Sequence, residues 1–363
     1  MSVNDKVFVS SDTYQAGPAH GMLSPFEPGT RTLPAGWQID PKFRPLATDI
    51  VLEKDVAVTL RDGVTIYVDV LRPAGTGKVP VIIAWSPYGK SEGTAPGVAG
   101  IFGLVGLDNG VFSGLEKFEG PDPAYWCAHG YAICNPDARG IAESGGDSFL
   151  WDRQEGRDCH DLIEWLAAQD WCTGKVAMSG TSYLAVSQWF AAAEQPPHLT
   201  AINPWEGVSD VYRDLVMRGG MADLGFAEML QQKFAGKNRR EDVIAEAERY
   251  PLMNDVWEDK IPRLDKITVP AYVVSQLLPH PAHPGNVPRV AKHCVRGEVA
   301  AHSRQLGVAR LLRRGECRGS APILRPLPQG REQRLEGNSA GPLLRARPGG
   351  RRPHGPARRP IPA

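Results

Sequence analysis

The run Lys175-Val-Ala-Met-Ser-Gly-Thr-Ser-Tyr-Leu-Ala-Val-Ser-Gln-Trp-Phe190 constrains the fold of this chain more than any other. Val176, Ala177 and Met178 read as a buried strand, Gly180 marks a sharp turn, and Ala185, Ala191 and Ala192 give the helix that follows a face of small residues. Ser182 sits at the turn. In the G-x-S-x-G nucleophile elbow, small neighbours let the backbone bend tightly and lift a serine Oγ above a parallel sheet. Gly180-Thr-Ser-Tyr-Leu184 is close to that pattern. An isolated G-x-S is more often an ordinary strand-to-helix turn, but the apolar strand before it and the small-faced helix after it favour the elbow.

Composition divides the chain. With 363 residues, 42% of them hydrophobic, it can bury a sizeable core and has room for two domains. The net charge of zero hides a split: from Gln276 onward there are 16 Arg and 1 Lys against 4 Glu and no Asp, and every Phe, Trp and Tyr lies before that point. The same tail holds 13 of the 32 Pro and 11 of the 39 Gly, a composition that buries too little apolar area to offset chain entropy. The expected organisation is an N-terminal arm over 1–46, a core over 47–274 and a disordered tail over 275–363. The six Cys form no C-x-x-C pair and read as reduced thiols. With no apolar window of about 18 residues and no charged leader followed by an apolar run, a cytoplasmic protein without a membrane span is expected.

In chain order, 50–60 and 64–71 are alternating strand patterns joined across Arg61-Asp62-Gly63, a hairpin signal. Residues 79–85 are a continuous apolar run of the kind buried on both faces of a sheet. The run delivers Ser86-Pro-Tyr-Gly-Lys90, a loop at the carboxyl end of a central strand, where Tyr88 can aim its hydroxyl at a reacting oxygen, although a tyrosine in such a place more often packs a Pro-Gly turn. Residues 91–120 read as a mobile loop, 125–129 as a short helix and 131–135 as a strand. Over 155–168, Cys159, Leu162, Ile163 and Leu166 have amphipathic-helix spacing. His160 in that helix and His129 before Gly130 read as structural. Residues 200–204 and 269–274 are further core strands. The Met- and Phe-rich stretch 208–262 reads as a helical cap, although such stripes are more often plain packing. No nucleotide, phosphate or metal motif is present, so no cofactor is expected.

Taken together, Arg61-Asp62-Gly63, Ser86-Pro-Tyr-Gly-Lys90, Asp137-Ala-Arg-Gly140, Ile163-Glu-Trp-Leu-Ala167, Gly174-Lys-Val176 and Gly180-Thr-Ser-Tyr183 resemble the X-Pro dipeptidyl-peptidase and cocaine-esterase family of α/β hydrolases. The resemblance covers about 47–274 and implies an α/β-hydrolase fold, a mostly parallel sheet flanked by helices. It also implies a serine hydrolase acting on a small-molecule ester, amide or short peptide. Ser182 matches the nucleophile. Tyr88 matches the tyrosine that completes the oxyanion hole, with the backbone N–H of Tyr183. Ala142 and Ala185 stand where the family tends to have glycine. No nucleic-acid or membrane partner is implied, and the oligomeric state is not legible.

A serine hydroxyl needs a histidine base and an acid to orient it, and α/β hydrolases place them after the serine, acid first. Here neither is recognisable: no carboxylate occurs between Val274 and Glu298, and His280, His283, His293 and His302 lie in Pro-rich sequence without strand or loop patterning. The abrupt loss of aromatics, Asp and Lys reads as a shifted reading frame. Reading one base later, codons permitted for 300–315 allow LRIHDSWEWPDYYDEA and those for 316–330 allow NVEDLRRFFDRYLKG. Both strings regain aromatics and helical periodicity, and the first supplies a histidine starting within the codon for Ser303. A hydrolase core truncated at its C-terminal side, without the last core strand and helix, and impaired activity are the corresponding expectations. The rival reading is a non-catalytic hydrolase-like protein whose basic tail seeks acidic partners, against which stands the tail's lack of aromatics for stacking.

Overall fold

The protein is seen here as a computed structural model, which describes residues 6–10, 25–75, 77–90, 109–231, 236–276 and 308–309. A short strand, β1 (Phe8–Ser10), precedes the main sheet, which comprises β2 (Gly29–Leu33), β3 (Ile50–Thr59), β4 (Thr65–Pro73), β5 (Val79–Ile83), β6 (Ala132–Pro136), β7 (Cys172–Thr181) and β8 (Leu199–Trp205). Their spatial order is β2-β3-β4-β6-β5-β7-β8. The half formed by β6, β5, β7 and β8 is parallel, and β2, β3 and β4 join it as an antiparallel meander. This is an α/β-hydrolase fold with a mixed sheet.

Burial follows from this order. Strands covered on both faces read as unbroken apolar runs, and Val81, Ile82, Ile83, Ile133, Cys134, Val176 and Met178 are fully inaccessible. Where β3 turns into β4, Gly63 adopts φ +84°, which a side chain would oppose, and its N–H donates to the Leu60 carbonyl. Besides the short α1 (Pro123–Ala128), two helices flank the core: α2 (Arg153–Ala167), capped by the Asp152 carboxylate on Glu155 N–H, and α3 (Tyr183–Ala193). Cys159, Leu162, Ile163 and Leu166 are the buried stripe of α2. The two helices meet at Gly156, where a Cβ would lie 2.8 Å from the Phe190 carbonyl oxygen, so no larger residue fits.

Several expectations are revised. Residues 269–274 form no continuous ladder, because Pro204 in β8 lacks the N–H that would donate to the Tyr272 carbonyl, yet they run parallel to β8 through Ile202 N–H to Pro270 O, Tyr272 N–H to Ile202 O and Val274 N–H to Pro204 O. The stretch 208–262 is more broken than one apolar stripe suggests. It holds a π-helical turn over Tyr212–Val216, then α4 (Gly225–Gln231), β9 (Arg239–Glu241), α5 (Val243–Arg249) and α6 (Asp255–Asp259). Gly219 and Gly220, both at positive φ, interrupt it. In the arm over 1–46, the described residues pair with the rest of the chain: β2 with β3, and β1 with β9. Of the loop expected over 91–120, residues 91–108 lie outside the described residues. Residues 113–117, by contrast, are buried, with Ser113 Oγ donating to Asp122 and the Gly114 N–H to Glu116. The expected disordered tail lies outside the described residues apart from 275–276 and 308–309.

At the N-terminal end, Lys6 Nζ is buried between Asp152 (2.5 Å), Glu241 (3.2 Å) and Asp259 (3.2 Å), and Lys260 Nζ reaches Glu241 at 2.6 Å. Lys6 thereby ties β1, the start of α2 and the 239–259 region together. Removing one partner of a buried ion pair strands the remaining charges, so Lys6→Met is expected to cost about 3–5 kcal/mol in urea unfolding. An unchanged midpoint would show the cluster to be energetically idle.

Candidate active site

Ser182 occupies the bend between β7 and α3 with φ 59° and ψ −115°, a left-handed conformation that side chains avoid. Neighbouring groups hold it there. Its N–H donates to the Trp205 carbonyl (2.9 Å), the preceding Thr181 N–H donates to the Glu119 carbonyl (3.2 Å), and its own carbonyl accepts from Ala185 and Val186. The Ser182 side chain makes no capping bond, so the hydroxyl is not spent on the helix terminus, and the residue is half-buried. Gly180, at φ +150°, lies where a Cβ would meet Leu184 at 2.4 Å. Ala185 takes a place where glycine was expected, and the compensation lies opposite: a Cβ on Gly207 would come within 2.8 Å of the Ala185 Cβ.

Tyr183 is fully buried behind the bend. Its ring packs on Trp151 (4.6 Å between centroids) and edge-on to Tyr88 (5.8 Å), and its hydroxyl donates to Glu155 Oε2 (3.2 Å). Trp85 Nε1 donates to Glu155 Oε1 (2.8 Å) and Trp151 Nε1 to the Tyr183 carbonyl (3.3 Å). Burial pushes the Glu155 carboxyl up to about 8, with the Asp152 charge adding to it. Tyr88 packs against Phe118 (5.4 Å), and burial, then the Glu119 and Glu155 charges, hold its hydroxyl well above the ordinary phenol range. Tyr88 and Tyr183 are thus brought together beside the bend that carries Ser182.

The loop carrying Tyr88 is anchored by charge. Lys90 Nζ lies between Asp55 (2.9 Å) and Asp137, and Asp69 accepts the Asp55 N–H (2.9 Å). Desolvation lowers the Lys90 pKa, but the carboxylates, led by Asp137, outweigh it and raise the ammonium above its usual range. Lys117 has no carboxylate within ion-pair distance among the described residues; its Nζ donates to the carbonyls of Ser86 (3.0 Å) and Pro136 (2.5 Å). Burial lowers it to about 7. Glu119, whose carbonyl takes the Thr181 N–H, and Glu206, which follows Trp205, both have left-handed φ, 63° and 57°. Burial, then the Glu206 charge, raises the Glu119 carboxyl to about 8.

Sequence reasoning missed Glu155, Lys117 and Glu119. Glu155 had a visible signal, since it is an acid at the spacing of Cys159 and Leu162 on the buried face of α2. Lys117 and Glu119 lay in a stretch read as a loop. Of the histidines, His160 Nδ1 faces Arg61 (2.9 Å), His198 Nδ1 faces Glu164 (2.7 Å) and His129 Nδ1 faces the Tyr125 carbonyl (2.7 Å). No group of His, Cys, Asp and Glu suited to a metal ion occurs among the described residues, and none of their helices is long and apolar enough to cross a membrane.

Two outcomes test this geometry. Ser182→Gly is expected to raise stability by about 1–2 kcal/mol in urea unfolding by relieving the left-handed strain, whereas Ser182→Ala, which keeps a Cβ, leaves it. The folded-state pKa of Glu155 is raised, so the folded protein holds a proton that the unfolded chain releases. Stability is therefore complete below about pH 4.5 and declines as pH rises towards about 8, with a slope of at most roughly 1.4 kcal/mol per pH unit from this group. Glu155→Gln is expected to remove that part of the decline; identical pH profiles would show Glu155 to be ionised at neutrality.

Residues 62–271 match the sequence profile of the family described as X-Pro dipeptidyl-peptidase (S15 family). A cocaine esterase of Rhodococcus sp. is 34% identical over 159 residues, 44% of this chain and 24% of its own length. A putative serine esterase of Mycobacterium tuberculosis is 28% identical over 211 residues, 56% of this chain and 33% of its own. Among solved structures, a CocE/NonD family hydrolase from Staphylococcus aureus superposes with TM-score 0.59 at 29% identity, covering 73% of this chain and 45% of that one. The chain therefore matches a quarter to a third of the length of these curated relatives and less than half of the solved hydrolase. With a profile match across more than half its residues, and the fold to go with it, the chain belongs to the X-Pro dipeptidyl-peptidase (S15) family of hydrolases.

Proposed function

We propose that this chain carries the nucleophile of a serine hydrolase that cleaves an ester, amide or short peptide. Ser182 Oγ attacks the acyl carbonyl, the alcohol or amine leaves with a proton, and water then releases the acid from the acyl-enzyme. The observation that supports this most is the left-handed backbone of Ser182 at the carboxyl end of a central parallel strand, with its hydroxyl uncommitted to the following helix. Strain of this kind persists only where the surroundings enforce it, and it gathers at reactive sites. Tyr88, kept neutral by burial, and the backbone N–H of Tyr183 serve as donors to the developing oxyanion.

The proton acceptor and its orienting acid belong after 274 by the Ser, acid, His order of α/β hydrolases. His129, His160 and His198 are engaged with Tyr125, Arg61 and Glu164 and take no part. We read 275–363 as translated out of frame, so that the base and acid are lost and hydrolysis by this chain is impaired. The support is compositional: from Gln276 onward Phe, Trp, Tyr and Asp vanish, one Lys remains, and there are 16 Arg.

Sequencing across codons 270–280, with the intact mass of the product, tests the frame; an unshifted gene encoding the Arg-rich tail refutes it. A fluorophosphonate is expected to label Ser182 slowly, and Ser182→Ala not at all. Restoring the frame is expected to accelerate labelling by roughly 10³ or more. In the restored enzyme Tyr88→Phe should slow turnover about 10²-fold with KM little changed. Labelling of both forms at one rate would overturn the impaired reading, and labelling that survives Ser182→Ala would overturn the nucleophile.

A further inference from the structure

Three consecutive residues, Lys117, Phe118 and Glu119, each touch a different part of the reactive centre, and nothing in the proposed chemistry uses them. Lys117 Nζ donates to the Ser86 carbonyl at the root of the Tyr88 loop (3.0 Å) and to the Pro136 carbonyl at the end of β6 (2.5 Å). The Phe118 ring meets the Tyr88 ring edge-on, with centroids 5.4 Å apart. The Glu119 carbonyl accepts the Thr181 N–H, one residue before Ser182, at 3.2 Å. A turn follows at once, its Gly120 N–H donating to the Lys117 carbonyl, and a Cβ on Gly120 would sit 3.1 Å from the Ala84 Cβ. The segment is thus pinned against the strand that bears the loop.

We propose that residues 117–119 are a clamp that fixes the spacing between the Tyr88 loop and the nucleophile bend, with Lys117 as its positioning residue. The inference rests on Tyr88 and Ser182 being the reacting pair. Three residues span at most roughly 7 Å between their outer Cα atoms, so a segment fastened at both ends is a spacer of set length. Lys117 suits the task because a side chain with several N–H donors holds carbonyls of two neighbouring strands together, Ser86 itself being bridged to Asp137. The far end of the same loop is held by Lys90 between Asp55 and Asp137. The charged and titratable groups around Lys117 are Asp137, Lys90, Cys134 and Asp69; burial outweighs them, and even the neutral amine keeps two donors for its two carbonyls.

Hydrogen exchange on the full chain, read by mass spectrometry without any need for turnover, tests this. Lys117→Met is expected to speed exchange about tenfold or more in peptides covering both 84–90 and 180–186, while 132–136 and 172–178 stay protected. Phe118→Ala should loosen 84–90 alone. In the native chain an opened Lys117 regains its ordinary affinity for protons, so opening binds a proton. Protection of 84–90, corrected for intrinsic exchange, should therefore climb as pH rises above about 7. Lys117→Met should abolish that climb. Loosening of one segment only, or of the whole sheet equally, in Lys117→Met overturns the clamp. Should that variant not fold, an unaltered loop in Phe118→Ala together with a flat native pH profile overturns it as well. Covalent labelling of Ser182 reports on the nucleophile independently of all these readouts.

Discussion

The arrangement depends on a backbone constraint at a single residue. Ser182 is held left-handed because its N–H has one good acceptor, the Trp205 carbonyl, and because its own carbonyl opens α3 by accepting from Ala185 and Val186. Neither bond survives a return to an ordinary strand or helix conformation. The sheet supplies the stiffness: β7 lies between β5 and β8, with Val176 and Met178 wholly inaccessible, so the bend cannot relax by moving the strand. Helix α3 cannot retreat either, since Gly156 of α2 lies against the Phe190 carbonyl.

Around the bend, low polarity performs the electrostatic work. Glu155 and Glu119 are driven towards the protonated form chiefly by burial, as is the Tyr88 phenol, while Lys117 is driven towards the neutral amine. A region where acids keep protons and a lysine gives one up is poor in full charge, and hydrogen-bond donors there act more strongly than in water. The full charges stay one layer back. Lys90 with Asp55 and Asp137, and Arg139 bound through Nε and Nη2 to Asp158 (2.6 and 2.7 Å), brace the scaffold.

Much of this was legible from residue order. Apolar runs over Val79–Ile83 and Ala132–Pro136, the Arg61-Asp62-Gly63 hairpin and the spacing of Cys159, Leu162, Ile163 and Leu166 gave the layers, because period and burial are local properties. The turns that carry Ser182 and Tyr88 were legible because their neighbours have recognisable turn chemistry. What escaped was set by tertiary contact. Lys117 lies in a polar stretch whose burial comes from two strand-end carbonyls remote in sequence, and Pro136 and Ser86 carry no mark of that partnership. The breaks in 208–262 were hidden behind a continuous Met and Phe stripe, although Gly219 and Gly220 announced one of them. The partnership of β1 with β9 joins residues more than two hundred positions apart, beyond any window of periodicity.

The acceptors that hold the bend also set an order of events during synthesis. Trp205 and Glu119 lie on either side of Ser182 in the chain, so one of the two external supports of the bend is synthesised after the serine itself. Until β8 has been made and laid beside β7, the elbow has no reason to adopt its left-handed shape, and the nascent hydroxyl is chemically ordinary. A bend that cannot assemble before the sheet around it is paired is a late event in the folding of this chain.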